Sequence, residues 1–309
     1  MNYSGQIISL IVAVSWTFAA IFAEIASKRL TPIILNVMRM ILSLILLSLI
    51  LFAFTGQFYP CYTDTTTWFW FLLSGVVGYI FGDTCLFNSY VVIGSRFGQL
   101  FMTLSPPTAA IISYFMIGEK MSAQSIIGMI VTLSGIGISI MNKGEHNKMK
   151  FKLPLKGILL GIGAGVGQGS GLALSKMGIS HYTSIIPENA SLVNNLLPFS
   201  ATFIRSIAGL IGFAIILRLS KERHFLPTAL KDKKGLWNGV AMTFFGPFLG
   251  VSLSLLALQY TSTGIASTLM AISPILIILP SKYIFKQKVT VKEVIGAFIS
   301  VLGVSLFFI

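Results

Sequence analysis

Charge is scarce in this sequence: Asp, Glu, Lys and Arg make up 10% of 309 residues, and only nine residues are acidic. With 55% hydrophobic residues and a mean hydropathy of +0.86, a soluble globular domain is excluded and lipid must solvate much of the surface. Cysteine is scarce too. Cys61 and Cys85 are too few for a disulfide framework and are not spaced as a metal knuckle. There is no GxxxxGK[ST] nucleotide loop and no HExxH, so no cofactor and no nucleotide-driven step are expected. The first apolar run, about Ser4 to Ala23, lacks a basic start and a small-residue cleavage site, and reads as a retained helix. The formal charge of +13 sits in short links between apolar runs, so orientation in a bilayer accounts for it and no nucleic-acid partner is expected.

What fills the chain is apolar runs long enough to cross about 30 Å of hydrocarbon as helix. They fall near 4–27, 31–54, 67–92, 96–117, 122–141, 155–178, 196–218, 235–259, 264–284 and 289–309. The fold class expected is therefore an all-α membrane protein of ten transmembrane helices, multi-pass in the cell membrane (the inner membrane if bacterial).

A shift of 168 residues places Gly78 on Gly246, Gly82 on Gly250, Ser105-Pro106 on Ser273-Pro274, Gly128 on Gly296 and Gly135 on Gly303. Arg39 matches Arg205 at a shift of 166, and Ser27-Lys28 matches Ser175-Lys176 at 148, so the second copy carries an insertion around Gly178–Asn195. The division expected is a first five-helix repeat at 1–142, a basic linker at 143–154 and a second repeat at 155–309. Five is odd, so the second copy enters from the opposite face. The result is two inverted five-helix repeats, the frame of alternating-access carriers.

Eighteen of the 22 Lys and Arg fall in links after helices 1, 3, 5, 7 and 9, against Lys120 and Lys176 in the other links. Basic residues near span ends resist translocation, so this tally puts both termini outside the cytoplasm.

Ionisable residues inside spans are functional candidates by default. Asp83 lies deep in helix 3 with Tyr79, Phe87 and Tyr90 on the same face, either as a ligand or coupling site or in a static pair with Arg39 or Arg205. Both arginines sit too deep to snorkel and need a partner, an anionic ligand or a structural acceptor. Helix 6 carries Gly157, Gly161, Gly165 and Gly169 on one stripe and Gly163, Gly167 and Gly171 on the next. With no preceding strand this is close helix packing rather than a dinucleotide loop. Gln168 is left among those glycines, about level with Trp16 of helix 1, and each could touch substrate or serve packing. Glu24, near the end of helix 1, reads as solvated or lining an entrance. The candidate substrate or coupling set is Trp16, Arg39, Tyr79, Asp83, Gln168 and Arg205.

The segments SWTFAAIFAEIASKRL, NVMRMIL and GYIFGDTCLFNSY, with GSRFGQLFMTLSPPTAAIISYFMIGEKMSAQSIIGMIVTLSGIGISI, resemble the drug/metabolite transporter superfamily, EamA type, in two copies along the chain. The resemblance implies a five-plus-five carrier with a central cavity lined mainly by helices 1, 3, 4, 6, 8 and 9, exporting metabolites, amino acids or drugs. It also implies cytoplasmic termini and a basic link after helix 2, whereas Thr55–Thr67 holds no Lys or Arg. Glu119 of the first Gly-Glu turn becomes Gln287 in the second copy.

The partners expected are a bilayer and a small-molecule substrate, with a homodimer left open. The rivals to a carrier are a channel or scramblase and, further off, an intramembrane enzyme. The segment Ile80-Phe81-Gly82-Asp83 lacks the first glycine of a GxGD protease motif and has no second intramembrane aspartate to work with.

Overall fold

The computed structural model describes residues 3–117, 123–143, 149–151, 153–260 and 269–306. Glu119, Lys120, Lys148, Lys152 and the start of the ninth expected span lie outside them. Helix α1 (Ser4–Leu30) turns into α2 (Pro32–Thr55) at Thr31, whose φ is 73° and whose hydroxyl faces the Ile34 N–H, with Pro32 opening the second helix. Proline suits that place because its missing N–H would be unpaired there anyway. Asp64 starts α3 (Thr65–Gly75) by accepting from the Thr67 N–H at 2.8 Å and the Thr67 hydroxyl at 2.6 Å. A wide π-helical turn, Val76–Asp83, follows and leads into α4 (Thr84–Phe101).

Among the described residues six helices are long and apolar enough to cross a membrane: Ser4–Leu30, Pro32–Thr55, Thr65–Met116, Leu155–Ile185, Leu197–Leu219 and Lys233–Ser254. The third, 52 residues long, breaks at Gly94, where φ is 82°. At about 1.5 Å per residue it is more than twice the hydrocarbon thickness, and glycine tolerates the corner because it lacks a Cβ. That corner falls between the expected spans 67–92 and 96–117. Shorter apolar helices cover Ile126–Ile140 and Ser273–Ile284. After α5 (Ser105–Ile117) and α6 (Ala123–Ile140), α7 (Leu155–Ile185) outruns the expected span 155–178, continuing until Ile186 turns extended ahead of Pro187, and the short α8 (Ser191–Asn195) follows. A short antiparallel strand pair, Met141–Lys143 against Met149–Phe151, straddles the boundary between the first expected repeat and the basic linker.

The repeat is visible in the irregularities. A shift of 168 carries Thr65–Gly75 onto Lys233–Thr243 and the wide turn Val76–Asp83 onto a second wide turn, Phe244–Val251. Pro247 lies in the second turn but its counterpart in the first is Tyr79, so proline is not what widens the helix. Both turns share a glycine pair, Gly78 with Gly82 and Gly246 with Gly250.

Where Ala123–Ile140 packs on Val291–Leu306, the Thr132 hydroxyl donates to the Ser300 carbonyl at 3.4 Å and the Ser300 hydroxyl returns a bond to the Thr132 carbonyl at 3.3 Å. Residues 168 apart that bond reciprocally lie on a local two-fold axis, as at any self-complementary interface. On one side of that axis Ser139 donates to the Glu293 carbonyl at 3.2 Å; on the other, a Cβ on Gly303 would lie 2.8 Å from the Gly128 carbonyl. The pair is thus antiparallel, as two copies inserted from opposite faces would place it.

The glycine stripes of α7 divide between two partners. Gly161 and Gly165 abut Phe101, and Gly169 abuts Thr108, all on the fourth expected span; Gly167 and Gly171 meet Gly82 and Gly78 of the wide turn. A Cβ on Gly165 would already lie 2.6 Å from the Phe101 carbonyl and 2.8 Å from the Leu104 Cβ. Gly165→Leu is expected to lower folded yield and to reduce stability by about 1–3 kcal/mol or more. Unchanged thermal unfolding of the purified variant would rule out that packing.

Candidate functional site

Four elements converge on one buried cluster. Helix α2 brings Arg39, the wide turn brings Tyr79 and Asp83, α7 brings Gln168, and α9 (Leu197–Leu219) brings Arg205. Arg39, Tyr79, Asp83 and Arg205 are 4%, 2%, 3% and 5% exposed. The Arg39 Nη2 donates to Asp83 Oδ2, and Gln168 Nε2 donates to Asp83 Oδ1 at 2.6 Å and to the Gly78 carbonyl at 3.1 Å. Of the two ion pairs open to Asp83, the structure forms the one with Arg39. Because a π turn advances the chain differently from an α turn, it aims Tyr79 and Asp83 together into the bundle, a common use of this irregularity.

The aromatic face around Asp83 is filled rather than open. The Arg39 guanidinium lies 5.3 Å from the Tyr79 ring centre and 5.0 Å from that of Phe87, and Tyr90 accepts from Gln99 Nε2 at 2.8 Å. In this structure these rings pack against their neighbours. Arg205 stacks on Tyr79 at 4.7 Å.

Trp16 stands elsewhere. It packs with Ile8, Val12 and Leu253, and its indole bounds Gly250, where a Cβ would lie 2.6 Å from Nε1. Gly250 is the repeat partner of Gly82, whose neighbour is Gln168. Trp16 and Gln168 therefore hold corresponding places in the two halves, on different glycines.

A second polar cluster, at the end carrying the basic links, was not anticipated. Glu24 is fully buried, accepting from Lys28 Nζ at 2.5 Å and from the Ser95 N–H at 2.6 Å, just past the Gly94 corner. Its reading as solvated is corrected: the corner frees a backbone N–H, and the carboxylate satisfies it. Arg96 reaches Glu293 at 3.1 Å and the Lys288 carbonyl at 3.4 Å, and Arg29 bonds Asp232 at 2.8 Å. Arg29 holds Asp232 below the usual carboxylate range, helped by the Gly235 N–H. One available signal was Thr290-Val291-Lys292-Glu293, a capping-box pattern in which the Thr290 hydroxyl meets Glu293 Oε1 at 3.0 Å. Through these contacts the links after helices 1, 3, 7 and 9 gather at one end.

At the other end, Asp64 pairs with His181 at 2.8 Å and the Tyr182 hydroxyl donates to the Cys61 carbonyl at 2.5 Å. The Thr67 hydroxyl and N–H, with His181 beyond them, hold Asp64 well below the usual carboxylate range.

The EamA-like transporter family matches the chain twice, over residues 3–141 and 155–309. A solved structure described as "Crystal structure of protein" superposes with a TM-score of 0.63 at 14% identity, covering 99% of this chain and 96% of that one, and so shares the fold. No curated protein matches. With the family's unit present twice, and with the two copies bonded reciprocally through Thr132 and Ser300, the chain belongs to the EamA-like transporter family and is a multi-pass membrane transporter.

Proposed function

We propose that this chain is a ten-span secondary carrier that exports a small organic metabolite, an amino acid or a similar solute, across the cell membrane, driven by an ion or solute gradient. The observation that carries the reading is that Asp83 is shared between repeats: Arg39 comes from the first half and Gln168 from the second. A rocking carrier would remake that junction in each cycle, and this supports a coupling role for Asp83. The end fastened by Glu24, Arg96 and Glu293 is the closed side in this reading, and the Asp64–His181 end is the side poised to open.

Counterflow in liposomes against a panel of solutes tests the reading. Trans-stimulated exchange is expected, whereas saturable-free downhill flux with no trans-stimulation would identify a channel. Orientation follows from the charge tally. In a Cys61→Ser background, a cysteine at exposed Glu188 should react with an impermeant thiol reagent added to intact cells, and one at exposed His224 should not. The reverse pattern would place the basic end outside.

A further inference from the structure

We infer that the substrate is anchored by a single carboxylate, held by Arg205 with Tyr79; this deepens the carrier reading above and rests on it. Charge at the cluster does not balance. Two buried guanidinium groups face one carboxylate, and Asp83 is paired with Arg39. Among the described residues no carboxylate lies within ion-pairing distance of Arg205, and no hydrogen bond satisfies it. Its contact is the Tyr79 ring, a weak substitute for a counter-ion.

The buried atoms left without partners point to the same place: Arg205 Nε, Arg39 Nε, the Tyr79 hydroxyl and both amide atoms of Asn36, one turn before Arg39 on α2. Donors of this kind, buried and unpaired, are costly unless something binds them. All four groups can donate to an anion, Asn36 through its Nδ2, and a guanidinium fork fits a carboxylate through two parallel hydrogen bonds. The surplus is one positive charge, which one carboxylate neutralises and a phosphate dianion would overshoot. Arg205 Nη2 lies against Gly78, where a Cβ would stand 3.0 Å from it, so a side chain at that position would press on the guanidinium.

The expected consequence is that Arg205 contributes to binding while costing stability in the empty protein. The experiment uses the purified full chain, in detergent for thermal unfolding and in liposomes for counterflow. The probes are glycine, alanine, leucine, lactate and benzoate, each beside its carboxamide, together with methyl phosphate and tetramethylammonium. At least one acid should raise the melting temperature and show counterflow, with its carboxamide doing neither. Arg205→Met should melt at or above the wild-type temperature without ligand and bind that acid about tenfold to a hundredfold more weakly. Arg205→Lys, which keeps the charge but not the fork, should fall between.

Failure of Arg205→Met to fold, or a response to the acid that survives in it, would overturn the assignment, as would equal responses to acid and carboxamide or silence to every acid. Counterflow of methyl phosphate or the cation alone, unaffected by the variant, overturns the carboxylate site and leaves the carrier standing. Binding of an acid that never shows counterflow does the opposite.

Discussion

Asp83→Leu is expected to destabilise the protein by about 3–5 kcal/mol, and replacing Arg39 with methionine in the same chain is expected to restore most of the loss. Removing the carboxylate leaves the Arg39 guanidinium buried at 4% exposure with its Nε already unpartnered, so the uncompensated charge sets the size of the effect. Gln168 loses one acceptor but keeps the Gly78 carbonyl at 3.1 Å, which makes its share the smaller one. Interhelical hydrogen bonds between neutral groups in membrane proteins average only about 0.6 kcal/mol, so a loss several times that size belongs to the ion pair. Thermal or denaturant unfolding in detergent measures all four corners of the cycle. If Asp83→Leu lies within about 0.5 kcal/mol of wild type, or the double variant is no better than the single one, Arg39 and Asp83 do not stabilise one another.

The repeat was legible because its signals are backbone signals. Glycines and prolines at a constant spacing of 168 mark places where helices approach closely or change pitch, and those constraints survive whatever the side chains around them become. The glycine stripes of α7 likewise follow from helical periodicity alone, and each found its own partner helix. The width of the two turns was not legible. Pro247 is an audible break, but Tyr79 in the same place of the first copy is not, and no local rule distinguishes a π turn from an α turn there. The continuous run Thr65–Met116 hid its corner for a related reason, since Gly94 is one glycine among many in a glycine-rich chain.

The candidate cluster was half legible. An acid and two arginines deep inside apolar runs announce themselves by their cost, and the structure gathers all three around Tyr79. Which arginine takes the acid depends on the relative rotation of α2 and α9 against the wide turn, a tertiary property. Glu24 was misread because its position one turn from Lys28 looks like a solvated helix end; only the corner at Gly94, 70 residues further on, shows that the carboxylate caps a buried backbone N–H. Trp16 was matched to Gln168 by level, and the match is one of symmetry, without contact.

Asp83→Asn separates a structural ion pair from a coupling group. Asparagine keeps the shape and one acceptor oxygen, so Arg39 retains a hydrogen bond, and the protein is expected to fold and to exchange solute. What it lacks is a proton site. In the structure the Asp83 carboxylate accepts from Arg39 in the first repeat and from Gln168 in the second, beside Tyr79, Phe87 and Arg205. Donors on a carboxylate compete with a proton for it. In the proposed carrier, a motion that carries Gln168 away with the second repeat would remove one competitor and so link proton occupancy to the position of the halves, which is all a coupled carrier requires. Asp83→Asn is therefore expected to preserve counterflow within a few-fold of wild type while losing uphill accumulation driven by an imposed pH gradient. Gln168→Leu should leave accumulation in place but move its pH dependence, because the proton site survives and one of its competitors does not. Liposomes loaded at one pH and diluted into another read both quantities in the same preparation. A stable Asp83→Asn protein that accumulates substrate at the wild-type rate, with the wild-type response to the gradient, would leave Asp83 as a structural partner of Arg39 and nothing more.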